Sequence, residues 1–259
     1  MTEATVPGGP IADVSYRNYD GPLRSHPFRW WIIARMMARL ALKRKGFWVL
    51  ACLALLPYLF HAFQLYIRSQ VPSRLAEFLG EQPFNLLFYD AYQRSEFWIF
   101  LLALLIGAGS IAGDNRTNAL QIYLSKPVTK GDYLLGKWMG IFSVLAAVSL
   151  VPSVALFLFC WGSFSHQGFM KDYHDLAWQA VVAPLLPAAL HASLILGFSA
   201  WFKRPLLAGG IYAAFYVGLQ VVVAIMAGIL WRTGREQDAF TVGYLSVPGV
   251  IKGLGQHLY

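Results

Sequence analysis

"GDYLLGKWMGIFSVLAAVSLVPSVALFLFCW" runs from Gly131 to Trp161. Its opening, Gly131 to Lys137, has the Gly-x4-Gly-Lys spacing of a nucleotide-binding loop, but Trp138 stands where such a loop needs Ser or Thr for Mg²⁺. A phosphate-binding loop follows a strand and wraps its glycines around an anion before a helix begins. Here Thr129 reads as an N-cap with Asp132 three residues on, a capping box with Asp in place of Glu. From Met139 to Trp161 there is no Asp, Glu, Lys or Arg, and roughly 20 apolar residues suffice to cross a bilayer as a helix. The stretch is therefore the capped start of a membrane-crossing helix, and the ATP-site reading is discarded. Lys137 reads as a charge at the depth of lipid phosphates. Gly136 and Gly140, like Gly109 and Gly113, are spaced to let two membrane helices approach closely.

The rest of the chain agrees. Of 259 residues, 57% are hydrophobic and only 13% charged, against about 25% charged in an average soluble domain. Four further apolar stretches, near 47–67, 97–112, 176–202 and 206–231, join 139–161 as spans. The fold class expected is all-α, a polytopic membrane helix bundle. Cys52 and Cys160 both lie in apolar runs, so neither a disulfide framework nor a metal site is expected. Residues 1–27 are polar, rich in Gly and Pro and without an apolar centre, so they read as a cytoplasmic tail rather than a signal peptide. Residues 28–259 read as one membrane domain.

Fourteen of the 21 Lys and Arg precede the first span, lie between the second and third, or follow the fourth. That imbalance places the N-terminus in the cytoplasm. It also accounts for the net charge of +8 without a nucleic-acid partner. Residues 28–45, "FRWWIIARMMARLALKRK", form an amphipathic helix lying in the inner leaflet, with Trp30 and Trp31 at headgroup depth. Trp30, Ile33, Met37 and Leu40 share one face; Arg35, Arg39 and Lys43 share the other.

Ile67 to Phe97 reads as an outer loop whose carboxylates, Glu77, Glu81, Asp90 and Glu96, are solvated. Pro57, Pro152, Pro184 and Pro187 fall within spans and can kink them. His61, Gln64, His191 and Gln220 are the deepest polar residues; His191, mid-span beside two prolines, is the best candidate for a pathway contact. The alternative for each is a hydrogen bond to a neighbouring helix. No signature of a hydrolase, zinc site or dinucleotide fold occurs, so no catalytic residue, metal or cofactor is expected.

The loop from Gly107 to Gly140 carries the most information. Leu120, Ile122, Tyr123 and Leu124 place an apolar strip on a cytoplasmic surface, flanked by Asp114, Arg116 and Lys126. Such a strip with a charged rim reads as a docking surface. "SIAGD" (Ser110 to Asp114) and "LSKPVTKGDYLLGK" (Leu124 to Lys137) resemble the permeases of type-2 ABC transporters. The N-terminal interfacial helix and the spacing of the spans extend the resemblance over most of the chain, and "DVSYRNYDGPL" (Asp13 to Leu23) is similar to the leader of one subgroup.

The resemblance implies a membrane subunit in a bacterial inner membrane that pairs with a second permease protomer and a separate cassette ATPase. It implies that the 113–137 loop couples to that ATPase, through Asp114, Asn115, Arg116, Leu120, Tyr123, Leu124 and Lys126. The family has six spans. Tyr244 to Tyr259 is similar to the outer segment that precedes the sixth, which is expected to be truncated or lost here. The competing readings are an accessory subunit of a larger membrane assembly without transport, and an intramembrane enzyme or channel.

Overall fold

The computed structural model describes residues 28–70, 83–119 and 128–259. Every regular element among them is helical: α1 (Arg29–Leu42), α2 (Lys45–Gln70), α3 (Phe84–Gly107), α4 (Ala112–Arg116), α5 (Lys130–Phe164), a 3₁₀ turn (Ser165–Gln167), α6 (Phe169–Asp172), α7 (Leu176–Trp201), α8 (Pro205–Arg232), α9 (Glu236–Gly243) and α10 (Val247–Leu258). Five of these, α2, α3 continuing into α4, α5, α7 and α8, are long and apolar enough to cross a membrane. The chain is an all-α polytopic bundle.

α5 is the hub, packed against α1, α2, α3 and α7. Its start is the capping box read from the sequence: the Thr129 hydroxyl accepts from the Asp132 amide, and the Asp132 carboxylate accepts from the Thr129 amide. The helix begins at Lys130, nine residues before the apolar run, because the cap and not hydropathy sets its end. Glycine governs the α1–α5 contact. A methyl group on Gly136 would lie 2.7 Å from the Trp30 carbonyl oxygen, and one on Gly140 would lie 2.6 Å from Met37 Cβ. At the other expected pair the outcome differs: Gly109 has only ordinary contact with Pro205, and Gly113 faces open space.

α7 carries Pro184 and Pro187 inside a continuous helix. Pro184 has no N–H for the carbonyl of Ala180. Ser153 of α5 donates to that carbonyl at 2.9 Å, so a neighbouring hydroxyl replaces the missing bond. A second α5 hydroxyl, Ser149, donates to the Pro184 carbonyl at 3.0 Å. The prolines thus pin α7 to α5.

α3 corrects the sequence reading most. It begins at Phe84, so Asp90, Arg94 and Glu96 are helical residues and not part of a solvated loop. Phe84, Leu87, Phe88, Ala91, Tyr92, Ser95 and Ile99 are buried, a stripe at helical spacing that carries the span back past the charges. Glu77 and Glu81 lie outside the described residues. In α1 the buried face is Ile33, Ala34 and Ala41. Leu40, expected on that face, is exposed, as are Trp31, Ile32, Met36, Arg35 and Arg39; Trp30 is half-buried.

α8 lies at the periphery, with 11% of its most apolar stretch buried against 56% for that of Phe84–Arg116. α9 packs on α8, and α10 sits against α3, α7 and α8. Tyr92 of α3 donates to the Ile251 carbonyl of α10 at 3.1 Å.

Candidate functional site

Two polar centres sit inside the bundle, one at the side that carries α1 and one near its middle. The first forms where α3 stops. Between Gly107 and Ala112 the backbone leaves the helix, and Ser199 of α7 takes up the freed groups. Its hydroxyl accepts from the amides of Ile111 and Ala112, both at 3.0 Å, and donates to the Ala108 carbonyl at 3.0 Å. The turn is "SIAGD", and it delivers Asp114 to α5. There Lys137 Nζ lies 2.8 Å from the Asp114 carboxylate and 2.8 Å from the Ser110 carbonyl. The Tyr133 hydroxyl donates to Asp114 at 2.7 Å.

Lys137 is 5% exposed. It is the buried half of an ion pair, which its sequence position did not reveal. The reason is geometric: Tyr133 and Lys137 are four residues apart on α5 and so share the face turned to α4.

Of the expected coupling residues, Asp114 is in this centre. Asn115 is half-buried and Arg116 exposed on α4, directly after Asp114. Leu120, Tyr123, Leu124 and Lys126 lie outside the described residues.

The second centre joins three spans. Glu96 of α3 accepts hydrogen bonds from the Tyr216 hydroxyl of α8, at 2.8 and 2.7 Å to its two oxygens. His191 Nε2 of α7 lies 3.2 Å from the same carboxylate, and its Nδ1 lies 2.6 Å from the Tyr212 hydroxyl. His191 thus links the Glu96 carboxylate of α3 to the Tyr212 hydroxyl of α8. Phe100 stacks on Tyr216 with ring centroids 3.8 Å apart.

At 1.5 Å per residue, Glu96 lies about 16 Å from the Gly107 end of α3, His191 about 15 Å from the Trp201 end of α7, and Tyr216 about 16 Å from the start of α8. All three therefore sit near the middle of their helices. His191, read from the sequence as a pathway candidate, is 0% exposed and bridges helices.

The remaining polar residues behave differently. His61 is buried, 3.0 Å from both Gln64 and Asp90, and Asp90 pairs with Arg94 at 2.8 Å. Gln64 and Gln220 lie on the surface of the bundle. Sequence reasoning missed Glu96, Tyr212 and Tyr216. Among the described residues no group of His, Cys, Asp and Glu is arranged to hold a metal ion.

No curated protein matches the chain. A family model, described as ABC-2 family transporter protein, matches residues 31–238, which include both polar centres and the five candidate spans among the described residues. With four-fifths of its length inside that match, the chain is a multi-pass membrane subunit belonging to the ABC-2 transporter family.

Proposed function

We propose that this subunit moves its substrate across a bacterial inner membrane using ATP hydrolysed by a separate cassette subunit, with the 113–137 segment as the mechanical link. The observation that carries the proposal is the Asp114–Lys137 pair. It joins the first residues of the link to the second turn of α5, while Ser199 joins the base of the link to α7. A force applied to the link would therefore reach α3, α5 and α7 together and not dissipate in a floppy loop. A buried ion pair suits such a joint, because separating its charges in a low-dielectric setting is costly.

In this reading the N-terminus and α1 are cytoplasmic, consistent with the excess of Lys and Arg on that side. Trp30 and Trp31 sit at the inner interface, with Arg35 and Arg39 toward lipid phosphates. Residues 28–259 act as the permease domain, preceded by a cytoplasmic tail. Two protomers, identical or related, enclose the path, and nucleotide-driven closure of the ATPase pair favours one of two access states. ATP chemistry resides in the partner, since the near-match at Gly131 to Lys137 is a helix with its lysine committed to Asp114.

The test is affinity purification of the tagged chain from its native membrane. A stoichiometric nucleotide-hydrolysing subunit is expected, and Leu124→Asp should release it without lowering the chain's own yield. Stoichiometric recovery of a partner that binds no nucleotide would favour an accessory role and overturn the proposal.

A further inference from the structure

A cavity of about 400 Å³ opens beside the membrane-centre cluster, on the side of the bundle opposite α1. Glu96 forms part of its wall, as do Gln93 of α3, Gln220 of α8, and Lys252 and Gln256 of α10. The apolar wall includes Val223, Ala224 and Ala227 of α8. Glu96 is 7% exposed, whereas Gln93, Gln220, Lys252 and Gln256 are exposed. The cavity is therefore lined by a buried carboxylate, an exposed ammonium and three exposed carboxamides.

Gln220 lies about 22 Å along α8 from the helix start, inside the hydrocarbon zone of a bilayer about 30 Å thick. Polar side chains exposed at that depth are costly unless something polar meets them. Tyr216 and His191 make three contacts to the two Glu96 oxygens; a carboxylate has about four acceptor positions. Among the described residues Lys252 has no ion-pair partner. Just beyond the cavity wall, Val221, Val222 and Ile225 of α8 are exposed and apolar. A ligand can thus hold its polar part in the cavity and lay an alkyl chain on α8.

We propose that this cavity binds a phospholipid whose headgroup carries a primary ammonium. The ammonium donates to Glu96, the phosphate pairs with Lys252, the three carboxamides bond the ester and phosphate oxygens, and an acyl chain follows α8. A headgroup and glycerol fit the available volume, which is in the range of small-ligand sites. A quaternary ammonium has no N–H to give Glu96, and a headgroup without an amine leaves it unmet. The site therefore discriminates among lipids by hydrogen bonding as well as by charge.

The test is native mass spectrometry of the protein purified from its own membrane with any subunits that accompany it. It is equilibrated with equal amounts of phosphatidylethanolamine, phosphatidylcholine and phosphatidylglycerol of one acyl composition. Phosphatidylethanolamine should be retained at least fivefold over each of the others. Glu96→Gln, which keeps an acceptor for Tyr216, should bring phosphatidylethanolamine and phosphatidylcholine to parity. Lys252→Gln, an exposed change that spares the core, should lower total retention about threefold.

Equal retention of the three lipids by the unaltered protein would overturn the proposal, as would an unchanged preference in Glu96→Gln. If Glu96→Gln fails to fold, unchanged retention in Lys252→Gln overturns it. The readout needs no nucleotide. A negative result here leaves the ATPase-coupled reading standing, and failure to find an ATPase leaves the lipid result intact.

Discussion

At the α1 side of the bundle, Lys137 and Asp114 meet as opposite formal charges 2.8 Å apart, whereas in the middle of the bundle Glu96 meets one histidine and one phenol, with a second phenol behind the histidine. The first centre compensates its charge within the chain and adds a carbonyl and a hydroxyl to complete it. The second holds its carboxylate with a histidine and a tyrosine hydroxyl and borders a cavity. A compensated pair is a joint: it holds α4 on α5 in one arrangement. A carboxylate on a cavity wall is a receptor: its remaining acceptor capacity is available to a molecule that arrives.

If the contrast is right, the largest effect comes from breaking the joint by halves. Lys137→Met leaves Asp114 without its cation and should cost about 3–5 kcal/mol, read as a fall in thermal unfolding temperature in detergent. Asp114→Asn combined with Lys137→Met should recover much of that loss, because the double variant buries no charge. Glu96→Ala should cost less, about 2 kcal/mol, by stranding the Tyr216 hydroxyl and the His191 N–H. Glu96→Gln should be close to neutral. A Glu96→Ala penalty as large as that of Lys137→Met would erase the distinction between the two centres.

Two smaller effects sharpen the picture around the joint. Gly136→Ala forces a methyl group onto the Trp30 carbonyl, so α1 must shift off α5 at a cost of about 1–3 kcal/mol, while Gly113→Ala, which faces open space, should be tolerated. A loosened α1 should also become more accessible to protease in detergent. Thr129→Ala removes the cap at the start of α5 and should cost about 1 kcal/mol, seen as a modest drop in unfolding temperature with the bundle otherwise unchanged.

The spans and the capped start of α5 were legible because each rests on local chemistry. An apolar run of sufficient length and a Thr–Asp box declare themselves within a few residues. The close approach at Gly136 and Gly140 was legible for the same reason. The start of α3 was not. Asp90, Arg94 and Glu96 interrupt hydropathy within seven residues, so the span seemed to begin after them.

The i, i+3, i+4 recurrence of Phe84, Leu87, Phe88, Ala91, Tyr92 and Ser95 was the signal that could have extended it. The i, i+4 pairing of Asp90 with Arg94 would have lowered the apparent cost of the charges. The centre itself could not be read, since His191 and Glu96 are 95 residues apart and only the packing of α3 on α7 brings them together. The pairing of Lys137 was hidden likewise: its partner is set by the turn after α3, which Ser199 of a third helix stabilises.

The central claim, that force from a separate ATPase enters the bundle through the segment after α3, is tested most directly by hydrogen–deuterium exchange of the native complex. Amides of residues 111–119 and 128–137 should exchange more slowly with the ATPase subunit bound than after it is stripped away. They should change again on trapping with ATP and vanadate, while those of α10 stay constant across the first comparison. Exchange in 111–119 and 128–137 that is indifferent to both the ATPase and nucleotide would contradict the account.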